Sequence, residues 1–67
     1  MSKLEFHTKL DAVKKRLPVG VYPLYLKAFP EEKNFSRIKN TISGKIHDEK
    51  ILRNLEQLAD AIEQVNP

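Results

Sequence analysis

Sixty-seven residues, 40% hydrophobic and 31% charged, make one globular domain at most, near the size where a single core is only marginally stable. That size excludes a separate catalytic domain, and the balance of apolar and charged residues excludes a disordered chain. The absence of cysteine excludes a disulfide framework and thiolate chemistry, and a net charge of +3 is too small to name a partner by itself.

Ser2, followed three residues later by Glu5, forms a capping-box pattern that satisfies free amides at a helix start. Phe6, Leu10, Val13 and Leu17 then recur at spacings of four, three and four, one buried stripe, which predicts a helix over residues 3–16. Its outer face carries Lys9, Lys14, Lys15 and Arg16, and basic residues in a last turn complement the helix dipole as readily as they contact phosphate. The opening MSKLEFHTKLD has no apolar core of a signal peptide, and no apolar run approaches the roughly 20 residues of a membrane helix. A soluble, cytoplasmic protein with no membrane partner is expected.

Pro18-Val19-Gly20 predicts a turn, because proline disfavours the helical conformation at Leu17 and glycine can adopt positive φ. The next stretch, VYPLYLKAF, mixes strand-favouring residues with Pro23, which suits the first turn of a helix better than the middle of a strand. A short helix over residues 22–29 is expected, with Leu24, Leu26, Ala28 and Phe29 supplying apolar contacts.

Residues 34–45, NFSRIKNTISGK, organise the chain. Phe35, Ile38 and Ile42 lie three and four apart and predict one buried face, leaving Ser36, Arg37, Lys39, Asn40 and Ser43 outside. This outward set has no acid and combines phosphate-contacting side chains with Arg and Asn, which read guanine and adenine in a major groove. A DNA-reading helix near 34–43 is one interpretation, and an ordinary solvated face is the other. The start is open: Asn34 can act as N-cap, or the helix can begin at Pro30, which would put Glu31 and Glu32 at its tip, where they repel phosphates. Gly44 predicts a left-handed C-terminal cap.

Asp48 is expected to cap a last helix whose stripe of Ile51, Leu55, Leu58, Ile62 and Val65, widened by Leu52 and Ala59, should carry most of the core. Glu56, Asp60 and Glu63 lie on its other face. The four elements predict a single all-α domain over residues 1–67, a compact bundle of four or at most five short helices. Charge is segregated along it: residues 1–17 carry +3, 18–32 carry −1, 33–53 carry +4 and 54–67 carry −3. Such polarity is expected where one side meets a polyanion.

The order of these elements resembles the lambda-repressor-like, Cro-type helix-turn-helix family. The likeness rests on the run from Asn34 through Ala61: an amphipathic helix with an apolar residue at Ile38, then Ser-Gly-Lys, then LRNLEQLADAIE with Leu55, Leu58, Ala59 and Ala61 at the family's Leu-x-x-Leu-Ala-x-Ala positions. LPVGVYPLYLKAF looks like the positioning helix, with Ala28 at the family's small residue. The chain departs from the pattern in carrying Pro30-Glu31-Glu32-Lys33 in place of a tight glycine turn, and in showing no counterpart of the fifth, dimerising helix of many relatives. The resemblance implies that Asn34, Ser36, Arg37, Lys39 and Asn40 face the groove and that Lys45 lies near a backbone phosphate. It implies a sequence-specific regulator on double-stranded DNA, of the small repressor type of phages and mobile elements, and leaves a homodimer open.

No enzyme, cofactor, metal site or small-molecule substrate is expected. His7 and His47 have no ligand partner at metal spacing, Gly20 and Gly44 form no phosphate loop, and Ser43, His47 and Asp48 have neither oxyanion hole nor pocket. The alternative function is a helical protein-interaction module without DNA, built on Tyr22, Tyr25 and Phe29 if these are exposed.

Overall fold

Serine and proline set the limits of the first helix. The Ser2 hydroxyl oxygen accepts the Glu5 amide at 3.1 Å, opening α1 (Lys3–Arg16), while its own proton goes to the Glu5 carboxylate at 3.3 Å. The far end stops where Pro18 forces Leu17 into an extended conformation (φ −98°, ψ 145°). The structure, a computed structural model, describes residues 1–18 and 20–65 without the Val65 side chain. Val19 of the expected turn, and Val65 as the last member of the apolar stripe, lie outside what is described.

Gly20, at φ +84°, leads into α2 (Val21–Ala28), which begins and ends one residue earlier than the sequence suggests. Pro23 falls in the first turn, where a missing N–H costs no helical hydrogen bond. α3 (Phe35–Ile42) and α4 (Glu49–Val65) complete an all-α bundle of four helices, with no strand among the described residues.

α4 touches each of the other three helices. Its Ile51, Leu52, Leu55 and Ala59 are almost wholly buried, and they meet Phe6, Leu10 and Val13 from α1, Tyr25 from α2 and Ile38 from α3. At about 25 cal/mol per Å² of apolar surface removed from water, this shared core is the main driving force of folding. Among the described residues, the expected stripes on the first and last helices are borne out. On α2, however, the fully buried residue is Tyr25, whose hydroxyl accepts a hydrogen bond from the Asn54 amide at 3.0 Å. Leu24, Leu26 and Phe29 are half-buried and Ala28 is exposed.

One clamp lies outside the core. The Arg16 guanidinium donates to Glu63 at 2.7 and 2.9 Å and to Asp60 at 2.5 Å, tying the end of α1 to α4. Two of the acids that make the chain's last segment negative are thereby paired with a basic residue of the first.

Candidate nucleic-acid interface

α3 begins at Asn34. The Asn34 side chain accepts the Arg37 amide at 3.1 Å, so Asn34 is the N-cap and Pro30 lies outside the helix. Residues 30–33 form a separate turn, in which the Glu32 amide donates to the Phe29 carbonyl at 3.2 Å. The Glu32 carboxylate accepts the Asn34 amide at 3.4 Å, so one acid does stand at the approach to the helix. There it complements the helix dipole and would repel a phosphate placed end-on.

The other end is closed by glycine. Gly44, at φ +86°, donates to the Thr41 carbonyl at 3.0 Å, and Lys45 donates to the Asn40 carbonyl at 2.8 Å. This pair of reversed bonds is a Schellman cap. It leaves the Lys45 side chain exposed just past the helix, as Lys33 is exposed just before it.

Between these stops the buried line of α3 is Ile38 and Thr41, both wholly inaccessible, with Ile42 half-buried. The Thr41 hydroxyl is satisfied by donating to the Arg37 carbonyl at 2.7 Å. Phe35, expected in the core, is 53% exposed. The reason is rotational: at about 100° per residue, a stripe centred between Ile38 and Thr41 leaves Phe35 well to one side. The expected stripe of Phe35, Ile38 and Ile42 is therefore turned toward Thr41, whose hydroxyl made it look like a surface residue.

The outward side of α3 presents Phe35, Ser36, Lys39 and Ser43, all exposed, and a half-buried Asn40. The Lys39 ammonium sits 4.9 Å from the centre of the Tyr22 ring, a cation–π contact that holds it toward α2. Ser43 donates to the Asn40 carbonyl at 3.0 Å. No acid lies on this side of the helix.

Arg37 turns the other way. Its Nε donates to Asp48 Oδ2 at 2.5 Å, and Asp48 Oδ1 accepts the Ile51 amide at 3.1 Å, so one carboxylate both caps α4 and anchors the arginine. Burial alone would raise the Asp48 carboxyl, but Arg37 and the Ile51 and Lys50 amides outweigh it and hold it below the ordinary carboxylate range. Arg37 is still 46% exposed along its side chain. With Nε committed, its two terminal nitrogens form the outer edge of the fork.

The structure thus brings Ser36, Lys39 and Asn40 onto one face with Lys45 beside its end, makes Asn34 a cap, and places Arg37 on the flank nearest α4. No family model, curated protein or solved structure matches the chain.

The sequence marks Asp48 only as a helix cap and Phe35 only as core, and neither as a residue of this site. An acid eleven residues from an arginine gives no periodic signal, and an aromatic at helical spacing from an isoleucine reads as core. The aromatic surface imagined for a protein partner is not formed: Tyr25 is buried, and Tyr22 and Phe29 are half-buried against the core. His47 stacks on Phe6 with ring centres 4.2 Å apart and places Nε2 3.3 Å from Glu49, which accounts for it structurally. No described helix is long and apolar enough to cross a membrane.

Proposed function

We propose that this chain is a sequence-specific regulator that binds double-stranded DNA by laying the outward side of α3 in the major groove. The observation that carries the reading is the make-up of that side: a rigidly capped helix presenting Ser36, Lys39 and Asn40 without an acid, between exposed lysines at positions 33 and 45. A helix with its side chains is about 10–12 Å across and the groove about 12 Å wide, so such a rod fits.

The roles follow from side-chain chemistry. Lys33, Lys39 and Lys45 neutralise phosphates, releasing counterions, while Ser36 donates to a phosphate oxygen. The Asn40 amide matches adenine N6 and N7, and the terminal nitrogens of Arg37 match guanine O6 and N7, each bidentate pair contributing about 1–3 kcal/mol of discrimination. Asp48 would hold the arginine fork in place before the base arrives. Because Glu32 guards the leading end, the helix would lie sideways against the groove rather than enter tip first. Occupying an operator in this way would block a competing protein, the action of a small repressor.

The deciding experiment is to select bound duplexes from a random pool at moderate salt and then repeat the selection with an Arg37→Ala, Asn40→Ala double variant. An enriched motif that the double variant loses, with helicity unchanged, supports the reading. Recovery of no motif at any salt would sink it, and an unchanged motif in the double variant would refute these two residues as readers. A palindromic motif with half-sites one helical turn apart would report a pair of copies.

A further inference from the structure

Phe35 is a large apolar side chain, 53% exposed, on a helix face otherwise made of serines, a lysine and an asparagine. It contributes little to the core, since Ile38 and Thr41 of the same helix are wholly buried and the cap geometry depends on Asn34 and Gly44. Tyr25 and Phe29 instead pack on each other, with ring centres 4.9 Å apart and planes tilted by 35°. Leaving a phenylalanine in water forfeits the gain of burying it, about 1.5–3 kcal/mol for a side chain of this size. What would bury it is set by its neighbours. Lys33 lies two residues before it and Lys39 one turn after it on the same side, against the single carboxylate of Glu32 that lies back on the Asn34 amide, so the balance of charge around Phe35 favours a covering surface that is negative around an apolar spot.

A major groove has such a spot. Among the groups that base pairs present there, the thymine C5-methyl is the apolar one, and it lies between the phosphate rails that lysines contact. Resting on the reading of α3 as a groove-binding helix, we propose that Phe35 is a specificity-determining residue that packs against a thymine methyl. It selects thymine at one position, near the base pair met by Asn40. The contact works by excluding water from both apolar surfaces and requires no hydrogen bond. A cytosine or uracil at the same place leaves the ring facing water or an amino group.

The test uses the full chain and the best duplex from the random-pool selection, with each thymine of that duplex replaced in turn by deoxyuridine, which removes only the methyl. One replacement should weaken binding about three- to tenfold, the size expected for losing one buried methyl contact. Phe35→Ala should bind the thymine and uracil duplexes equally, while Phe35→Leu should keep part of the preference. Because the side chain is exposed, both variants should keep the wild-type circular dichroism spectrum and melting temperature.

Insensitivity to every uracil replacement, or a preference that survives in Phe35→Ala, overturns the assignment while the DNA reading stands. A pool that yields no motif overturns both. Should Phe35→Ala change the sedimentation of the free protein and leave the base preference intact, the ring belongs to a contact between copies and the assignment is wrong.

Discussion

Arg37 and Asp48 bind each other across the loop between α3 and α4, with Nε 2.5 Å from Oδ2. The same carboxylate caps the start of α4 through the Ile51 amide, so this one side chain ties α3 to the helix that carries the core. Replacing Asp48 by Ala should cost about 1–2 kcal/mol, the cap supplying most of it because water around the half-exposed arginine screens the ion pair. Asn caps as well as Asp, so Asp48→Asn should lose less.

The pair also predicts an acid sensitivity. The folded state holds the Asp48 carboxyl below its unfolded value, so the unfolded chain takes up the proton first as pH falls. Its contribution is therefore complete above the ordinary aspartate pKa of about 4 and disappears as pH drops through the lower folded value. Urea melts of the wild type and Asp48→Asn should differ at neutral pH and converge in strong acid. A gap that stays constant would show that the carboxylate's charge is immaterial.

Gly44→Ala should destabilise by about 1–2 kcal/mol, because an L residue is strained at φ +86° and its Cβ would lie 3.4 Å from the His7 ring. Gly44→Asn should lose less, since asparagine tolerates the left-handed region. Thermal melts of the three proteins give the order directly.

Two neighbours on α3 should respond oppositely. Ile38→Ala removes a wholly buried side chain and should cost about 2–5 kcal/mol, enough to unfold much of a domain this small. Phe35→Ser should change stability by less than about 0.5 kcal/mol, as expected at an exposed position. Guanidinium titrations would check both, and a large loss for Phe35→Ser would show that the ring is packed in solution.

Each lysine that meets a phosphate should flatten the salt dependence of duplex binding. Single Lys33→Ala, Lys39→Ala and Lys45→Ala variants should reduce the slope of log affinity against log salt by about one each, without altering which sequence is preferred. Lys9→Ala on α1 provides the comparison and should leave the slope unchanged. Equal slopes in all four would mean that α3 does not lie between phosphates.

Much of the fold was legible because helix signals are local. Ser2, Pro18, Asn34, Gly44 and Asp48 each mark a stop or start through their own backbone chemistry, and all five act at those positions. The rotation of α3 was not legible, because it is set by which residues α4 offers on the other side. Threonine at position 41 is buried only because its hydroxyl finds the Arg37 carbonyl one turn back. The site was legible as a set of residue types but not in its internal pairing: Arg37 with Asp48, and Lys39 over Tyr22, join separate elements and have no periodic trace.

The residues that hold α3 and the residues that face outward from it are different sets. Ile38, Thr41, Asn34 and Gly44 anchor the rod, while Ser36, Lys39 and Phe35 take no part in the core. Mutations can therefore accumulate in the outward set at little thermodynamic penalty, and one scaffold can carry many different outward surfaces. A library randomised at those three positions, proline excluded, should yield folded proteins at nearly every member.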